Sequence, residues 1–166
     1  MERDDIFKIG KRTQVYYKAL EAGTLSRFEA DNRIIRKFVD SKIQWHYRHL
    51  VYDCNSPEKT VYKNLVVLRK ILSLVDKPLC ELTETDIETL QSKFNRNEVK
   101  FKGVPIAVSY KKDLVMTFRQ FWTFYRAYAK HEEGKLIEDI AEYFRIRKDR
   151  NSNPMIRFLT KQEIDL

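Results

Sequence analysis

A few residue groups in this chain have types and spacings that suit chemistry. His46 and His49 stand three residues apart, a helical spacing that puts two imidazoles on one face and can hold a metal ion. His131 is far off in sequence and no third ligand is obvious near the pair, so the two histidines read as surface or interface residues. The four glycines are scattered and form no phosphate-binding loop. Cys54 and Cys80 have no convincing histidine partner in sequence. The acidic run Thr83-Glu84-Thr85-Asp86-Ile87-Glu88 suits a helix start, where carboxylates favour the positive end of the dipole. Nothing here supports catalysis by this chain alone, and no cofactor or metal is implied.

What remains is a pair of basic helix starts. Ser56, Lys59, Thr60 and Lys63 open one predicted helix, and Ser109, Tyr110, Lys111 and Lys112 open another. Free N–H groups at a helix N-terminus bind phosphate, and neighbouring lysines add charge. A helix presented this way also enters a major groove, where its front residues reach base edges. Capping residues beside lysines explain either start alone; the two together favour DNA. Arg119 sits one face behind the second start, while Arg126 and Lys130 lie too far back and read as a solvated face.

The elements that position these residues are helical. The chain has 166 residues, 43% of them hydrophobic, enough for one domain with a real core and against global disorder. Only four glycines and four prolines punctuate it. The net charge of +8 favours an anionic partner, nucleic acid first and a membrane surface second. No signal peptide opens the chain and no run approaches the roughly 20 apolar residues of a membrane span. Cys54 and Cys80 flank a helix of ~28 Å at 1.5 Å per residue, too far apart for an internal disulfide. Free thiols in a reducing cytoplasm are expected.

In chain order, residues 1–25 form an N-terminal arm with a short helix over 12–22, Val15, Tyr16 and Leu20 on one side and Gly23 ending it. Ser26 caps a long helix over 27–47 with Ile34, Ile35, Phe38, Val39 and Trp45 inward. The Ser56-Pro57-Glu58 start leads a helix to residue 75, buried through Val61, Leu65, Leu68, Leu72 and Val75 and stopped by Asp76-Lys77-Pro78. Thr83 caps the next helix with Asp86 reaching back, and Ile87, Leu90 and Phe94 point inward. Residues 95–107 break as a short hairpin or extended loop, with five basic residues against one acidic over 96–112. Ser109 caps a helix to about residue 130, with Leu114, Phe118, Phe121, Tyr125 and Tyr128 at three- and four-residue steps. Tyr110, Trp122, Tyr128 and the Trp45–Tyr47 patch are candidates for partial exposure. A short acidic helix covers 136–144. Thr160 and Glu163 then form a capping box whose helix stops at Leu166, so the sequence is expected to be cut from a longer protein.

The order and spacing of several motifs now carry a resemblance. They are Ser56-Pro57-Glu58-Lys59-Thr60-Val61-Tyr62, Leu82-Thr83-Glu84-Thr85-Asp86-Ile87-Glu88-Thr89-Leu90, Ser109 with Arg119-Gln120-Phe121-Trp122-Thr123-Phe124, and Asn153-Pro154 before Phe158-Leu159-Thr160-Lys161-Gln162-Glu163-Ile164. Over residues 26–166 the chain resembles the N-terminal core-binding domain of tyrosine recombinases, the phage integrase family, in its archaeal type. The resemblance implies an all-α, SAM-like fold of four main helices in two crossed hairpins with short peripheral helices. It implies a core-binding domain over 26–144, a basic linker over 145–158 and the start of an absent catalytic domain at 159–166. It further implies that the domain grips duplex DNA at a recombination site through Ser56, Lys59, Thr60, Lys63, Ser109, Tyr110, Lys111, Lys112 and Arg119. In the linker, Arg145, Arg147, Lys148 and Arg150 would cross the backbone. Self-association on DNA is expected in the full protein, with the first helix and the 83–94 helix as the surfaces.

The departures are as informative. The family's catalytic Arg, Lys, His-x-x-Arg and nucleophilic Tyr belong to the downstream domain, and no histidine here is followed by Arg three residues later. This fragment is therefore not expected to catalyse strand transfer. A helical protein-interaction module and another helical DNA-binding regulator are the alternatives.

Overall fold

The computed structural model describes residues 11–48 and 57–146. It is predominantly helical. The elements are α1 (Lys11–Ala22), α2 (Glu29–Arg48), α3 (Pro57–Val75), a 3₁₀ turn (Leu79–Glu81), α4 (Glu84–Asn95), β1 (Lys100–Phe101), β2 (Val104–Pro105), α5 (Val108–Glu132) and a second 3₁₀ turn (Ile140–Tyr143).

Helix α3 is the centre of the packing and touches α1, α2, α4 and α5. Its sequence explains this. Val61, Leu65, Leu68 and Leu72 form the expected apolar stripe, but Val67 and Ile71 widen it, and both are fully buried. A stripe this wide serves a helix covered on several sides. Val75 is only half-buried at the helix end. Asp76 closes the helix in the left-handed region at φ 54°. Arg27 holds that turn, pairing with the Asp76 carboxylate at 3.0 Å and its carbonyl at 3.2 Å.

Helix α5 contributes the aromatic half of the core. Leu114, Phe118, Phe121 and Tyr125 are buried as their spacing predicts. Phe118 meets Phe144 edge-on at 5.7 Å, and Phe38 of α2 meets Phe121 edge-on at 5.3 Å. Such geometries add to simple area burial. Ile34, Ile35, Phe38 and Val39 of α2 and Ile87, Leu90 and Phe94 of α4 are inward as expected. At the start of α4, the Asp86 carboxylate accepts the Thr83 backbone N–H at 3.0 Å and the Thr83 hydroxyl at 2.9 Å. Residues 100–105 form the expected hairpin, with Lys102 and Gly103 both at positive φ (48° and 79°). Two positive φ values in succession give the turn whose twist matches paired strands.

Several expectations need correction. Helix α2 begins at Glu29, not at 27. Ser26 instead ties a turn: its hydroxyl accepts the Phe28 N–H, and its backbone N–H donates to Asn32 Oδ1 at 2.8 Å. Trp45, expected inward along its helix, is 54% exposed, and Val15 of α1 is exposed to the same extent. Trp122 is buried at 1%, not partly exposed. Helix α5 begins at Val108 after an extended Ala107, so Ser109 lies in its first turn and does not cap it. The 136–144 helix is only a four-residue 3₁₀ turn preceded by irregular chain. Helix α1 forms as expected but packs on α2 and α3 through Leu20, and Tyr16 meets Tyr62 edge-on at 5.4 Å.

One buried acid links the start of α2 to the first 3₁₀ turn. Asp31 is 2% exposed and accepts the Leu79 N–H at 3.1 Å. Burial raises its pKa, and the hydrogen bonds from Leu79 and Ser26 offset this only in part. The folded state thus holds this proton more tightly than the unfolded chain, so the Asp31 contribution to stability falls as pH rises above about 4. We expect Asp31→Asn to remove that slope while keeping an acceptor for Leu79. Thermal melts of both proteins from pH 4 to 7 check it, and parallel pH profiles would refute it.

Candidate nucleic-acid interface

The two helices with basic starts share one seam. Lys70 of α3 donates to the Tyr110 hydroxyl of α5 at 2.8 Å, and Lys63 pairs with Asp113 at 2.9 Å. Further along, Thr60, Lys63 and Asn64 of α3 and Asp113, Met116, Thr117 and Gln120 of α5 line one cleft of about 430 Å³. Numbers rise on one helix as they fall on the other, so α3 and α5 run antiparallel. The front of α3 therefore lies level with Gln120, ~16 Å along α5 from Ser109 at 1.5 Å per residue. The two starts are at opposite ends of the seam, and the cleft lies between them.

The cleft follows from helical periodicity. Residues 60, 63 and 64 share a face of α3, and 113, 116, 117 and 120 share a face of α5. These faces carry polar groups where the rest of the contact is apolar. Lys63 and Asp113 have side chains 56% and 41% exposed, so their pairing is worth little to stability. Lys42 of α2 closes the far end, donating to Gln120 Oε1 at 3.1 Å; burial lowers its pKa. At the near end, burial likewise lowers the Lys70 pKa and raises that of Tyr110.

The expected DNA contacts distribute unevenly over this geometry. Thr60 and Lys63 line the cleft, and Lys112 and Ser109 are exposed at the α5 front. Tyr110 is half-buried against Lys70. Lys111 does not join the exposed cations. It is 5% exposed, and its ammonium donates to Asn97 Oδ1 at 2.6 Å. Arg119 is exposed, and its guanidinium donates to the Phe144 carbonyl at 2.9 Å and the Ala141 carbonyl at 3.4 Å. Arg126, expected as a solvated face, donates to the Ile137 carbonyl at 2.9 Å and pairs with Asp139 at 3.1 Å. With Trp122 donating to Glu138 at 2.9 Å, these three side chains strap residues 137–144 onto α5. Arg145 is exposed, its Nε bonded to the Glu142 carbonyl at 3.2 Å. Ser56, Arg147, Lys148, Arg150 and the Lys59 side chain lie outside the described residues, as do His49, Cys54 and the His46 side chain.

No family model matches the chain, and no curated protein or solved structure resembles it significantly. Among the described residues no group of three or more His, Cys, Asp or Glu is placed to hold a metal ion. No described helix is long and apolar enough to cross a membrane. A separate cleft of about 570 Å³ is lined by Leu79, Leu82, Trp122 and Tyr125, with Cys80, Glu84 and Lys135 among its other residues. Burial pushes the Tyr125 hydroxyl up to about 12 there, so it stays protonated at neutral pH. No histidine lines it.

Asn64, Met116, Thr117, Gln120 and Lys42 were not anticipated as interface residues. Asn64 had a signal: it is a polar side chain within the otherwise apolar 61/65/68 face. Met116 and Thr117 had none, because which face of α5 meets α3 is a tertiary fact.

Proposed function

We propose that this chain is the DNA-binding domain of a site-specific tyrosine recombinase and that the α3–α5 seam is the surface that meets duplex DNA. In this reading α2 to α5 are the four main helices of a SAM-like core-binding fold, α1 is an addition to it, and the fragment itself is not catalytic. One observation carries the proposal. The two helices that the motif pattern assigns to the major groove pack side by side, with Thr60, Lys63 and Gln120 lining one cleft between them. Helices assigned to the same groove have to share a face, and these do.

Surface charge supports the choice of partner. The net charge is +8, Lys70 and Lys42 stand at the two ends of the seam, and Lys112 is exposed at the front of α5. Phosphate contacts position a protein on a duplex, and base edges are read between them. The test is fluorescence anisotropy of the 166-residue chain with a labelled duplex, and with its single strand, at low salt. Preferred duplex binding that Lys112→Glu weakens without loss of helical signal supports the proposal. Absence of duplex binding at low salt overturns it and favours a protein-interaction module, for which the 570 Å³ cleft beside the 88% exposed Leu136 is the docking surface to test.

A further inference from the structure

The cleft between α3 and α5 has a floor that the protein leaves unsatisfied. Asn64 is 7% exposed and Thr117 is 6% exposed, and both line the cleft. Neither side chain has a hydrogen-bond partner among the described residues. Most buried polar side chains in folded proteins have one, and an exception asks for water, an ion or a ligand. Two adjacent exceptions facing one cleft are a second observation, independent of the basic helix starts.

The mouth of the cleft says what kind of ligand fits. Its one cation, Lys63, is closed on its one anion, Asp113, at 2.9 Å. A phosphate at the mouth would have to compete with Asp113 for Lys63, and inside the cleft it would meet the Asp113 carboxylate. The groups left to bind are neutral. The Gln120 oxygen is taken by Lys42, which leaves its NH₂ as a donor. Asn64 brings an amide with both donor and acceptor, and Thr117 brings a hydroxyl. Met116, 59% exposed, adds an apolar side chain at the rim.

In a major groove, adenine presents an N7 acceptor beside an N6 donor, which an Asn or Gln amide matches, and thymine presents a methyl group. Guanine presents two acceptors, which call for Arg or Lys; this cleft offers no unpaired cation. We infer that the cleft is a base-reading site that selects an A·T pair, with Asn64 as the bidentate amide reader, the Gln120 NH₂ as an added donor toward adenine N7 and Met116 against the thymine methyl. The inference rests on the duplex-binding proposal above. It adds which base pair is read and by which residues, and it separates these from the flanking cations that set affinity alone.

Selection from a randomised duplex pool tests it, using the wild-type chain, Gln120→Ala and Asn64→Leu. Leucine keeps the branched shape of Asn64 and removes the unsatisfied amide, and the cleft above it leaves room for the larger side chain, so the fold is expected to persist. The wild-type pool should converge on an A·T pair at a fixed position, preferred over G·C by roughly 5- to 160-fold, the range for one bidentate amide contact. Each variant should lose that preference yet keep salt-dependent binding to unselected duplex. If the wild type binds duplex but selects no A·T pair, or if both variants keep the preference, water alone fills the cleft and the inference fails while the DNA-binding proposal stands. If the wild type binds no duplex, both fail. Should Asn64→Leu not fold, the exposed Gln120→Ala decides the outcome by itself.

Discussion

Replacing Trp122 by alanine is expected to cost the domain about 3–5 kcal/mol, the range for deleting a large buried aromatic. Three facts put it at the upper end. The ring is 1% exposed. It stacks on Phe118 at 5.7 Å and meets Tyr125 edge-on at 5.1 Å, so its loss disturbs two other aromatic residues. Its Nε1 also donates to the Glu138 carbonyl at 2.9 Å, and the truncation removes that bond. Set against the ~5–15 kcal/mol stability of a typical domain, this is a large fraction. It should lower the melting midpoint by roughly 10 °C or more. Arg119→Ala should act in the same direction and more weakly, because the guanidinium bonds the same strap at Phe144. Met116→Ala, at a 59% exposed position, should stay within about 0.5 kcal/mol of wild type. Equal melting midpoints for Trp122→Ala and Met116→Ala would show that the strap contributes nothing to the core.

The contrast between Trp122 and Arg119 shows where the sequence stops being legible. Helix α3 was readable almost to the residue, because Pro57 opens it and Asp76-Lys77-Pro78 ends it, all local effects. The Thr83–Asp86 cap is local as well, and so is the 102–103 turn. The cations of α5 are different. Lys112, Arg119 and Arg126 recur every seven residues and look alike on a helical wheel, yet of the three only Lys112 makes no side-chain bond to the described residues. Arg119 and Arg126 meet main-chain carbonyls of residues 137–144, 11 to 25 positions away. A carbonyl has no side-chain signature, so nothing in the local pattern separates a strap-holding arginine from a DNA-binding one. Lys111 fails for the same reason: Asn97, held at φ 56°, supplies its acceptor from the preceding loop. Trp45 fails in the opposite sense, since an apolar residue at a helical step is buried only if some element covers it. The candidate site was thus half legible. The basic fronts of two helices could be read, and the antiparallel seam that separates those fronts could not.

That separation shapes the second large effect. Affinity for duplex is expected to fall ~10³-fold between 50 and 200 mM salt if roughly six phosphates are neutralised. The cations available for this are spread over the seam and its ends, so no single substitution should abolish binding. Lys63 is the informative one, because it is shared between Asp113 and any phosphate that approaches. Lys63→Glu removes a cation and sets a second carboxylate against Asp113, so affinity at about 0.1 M salt should drop by at least tenfold. The slope of log K against log salt should shrink by about one phosphate equivalent, ~0.9. Asp113→Asn should do the reverse, since it releases Lys63 and removes the anion that repels the backbone. Both side chains are largely exposed, so either change should move stability by no more than about 1 kcal/mol. Thermal melts and salt titrations on the same preparations then separate folding from binding. Opposite shifts in salt slope at nearly constant melting midpoint are the expected pattern. Unchanged slopes in both variants would place the duplex on another face of the molecule.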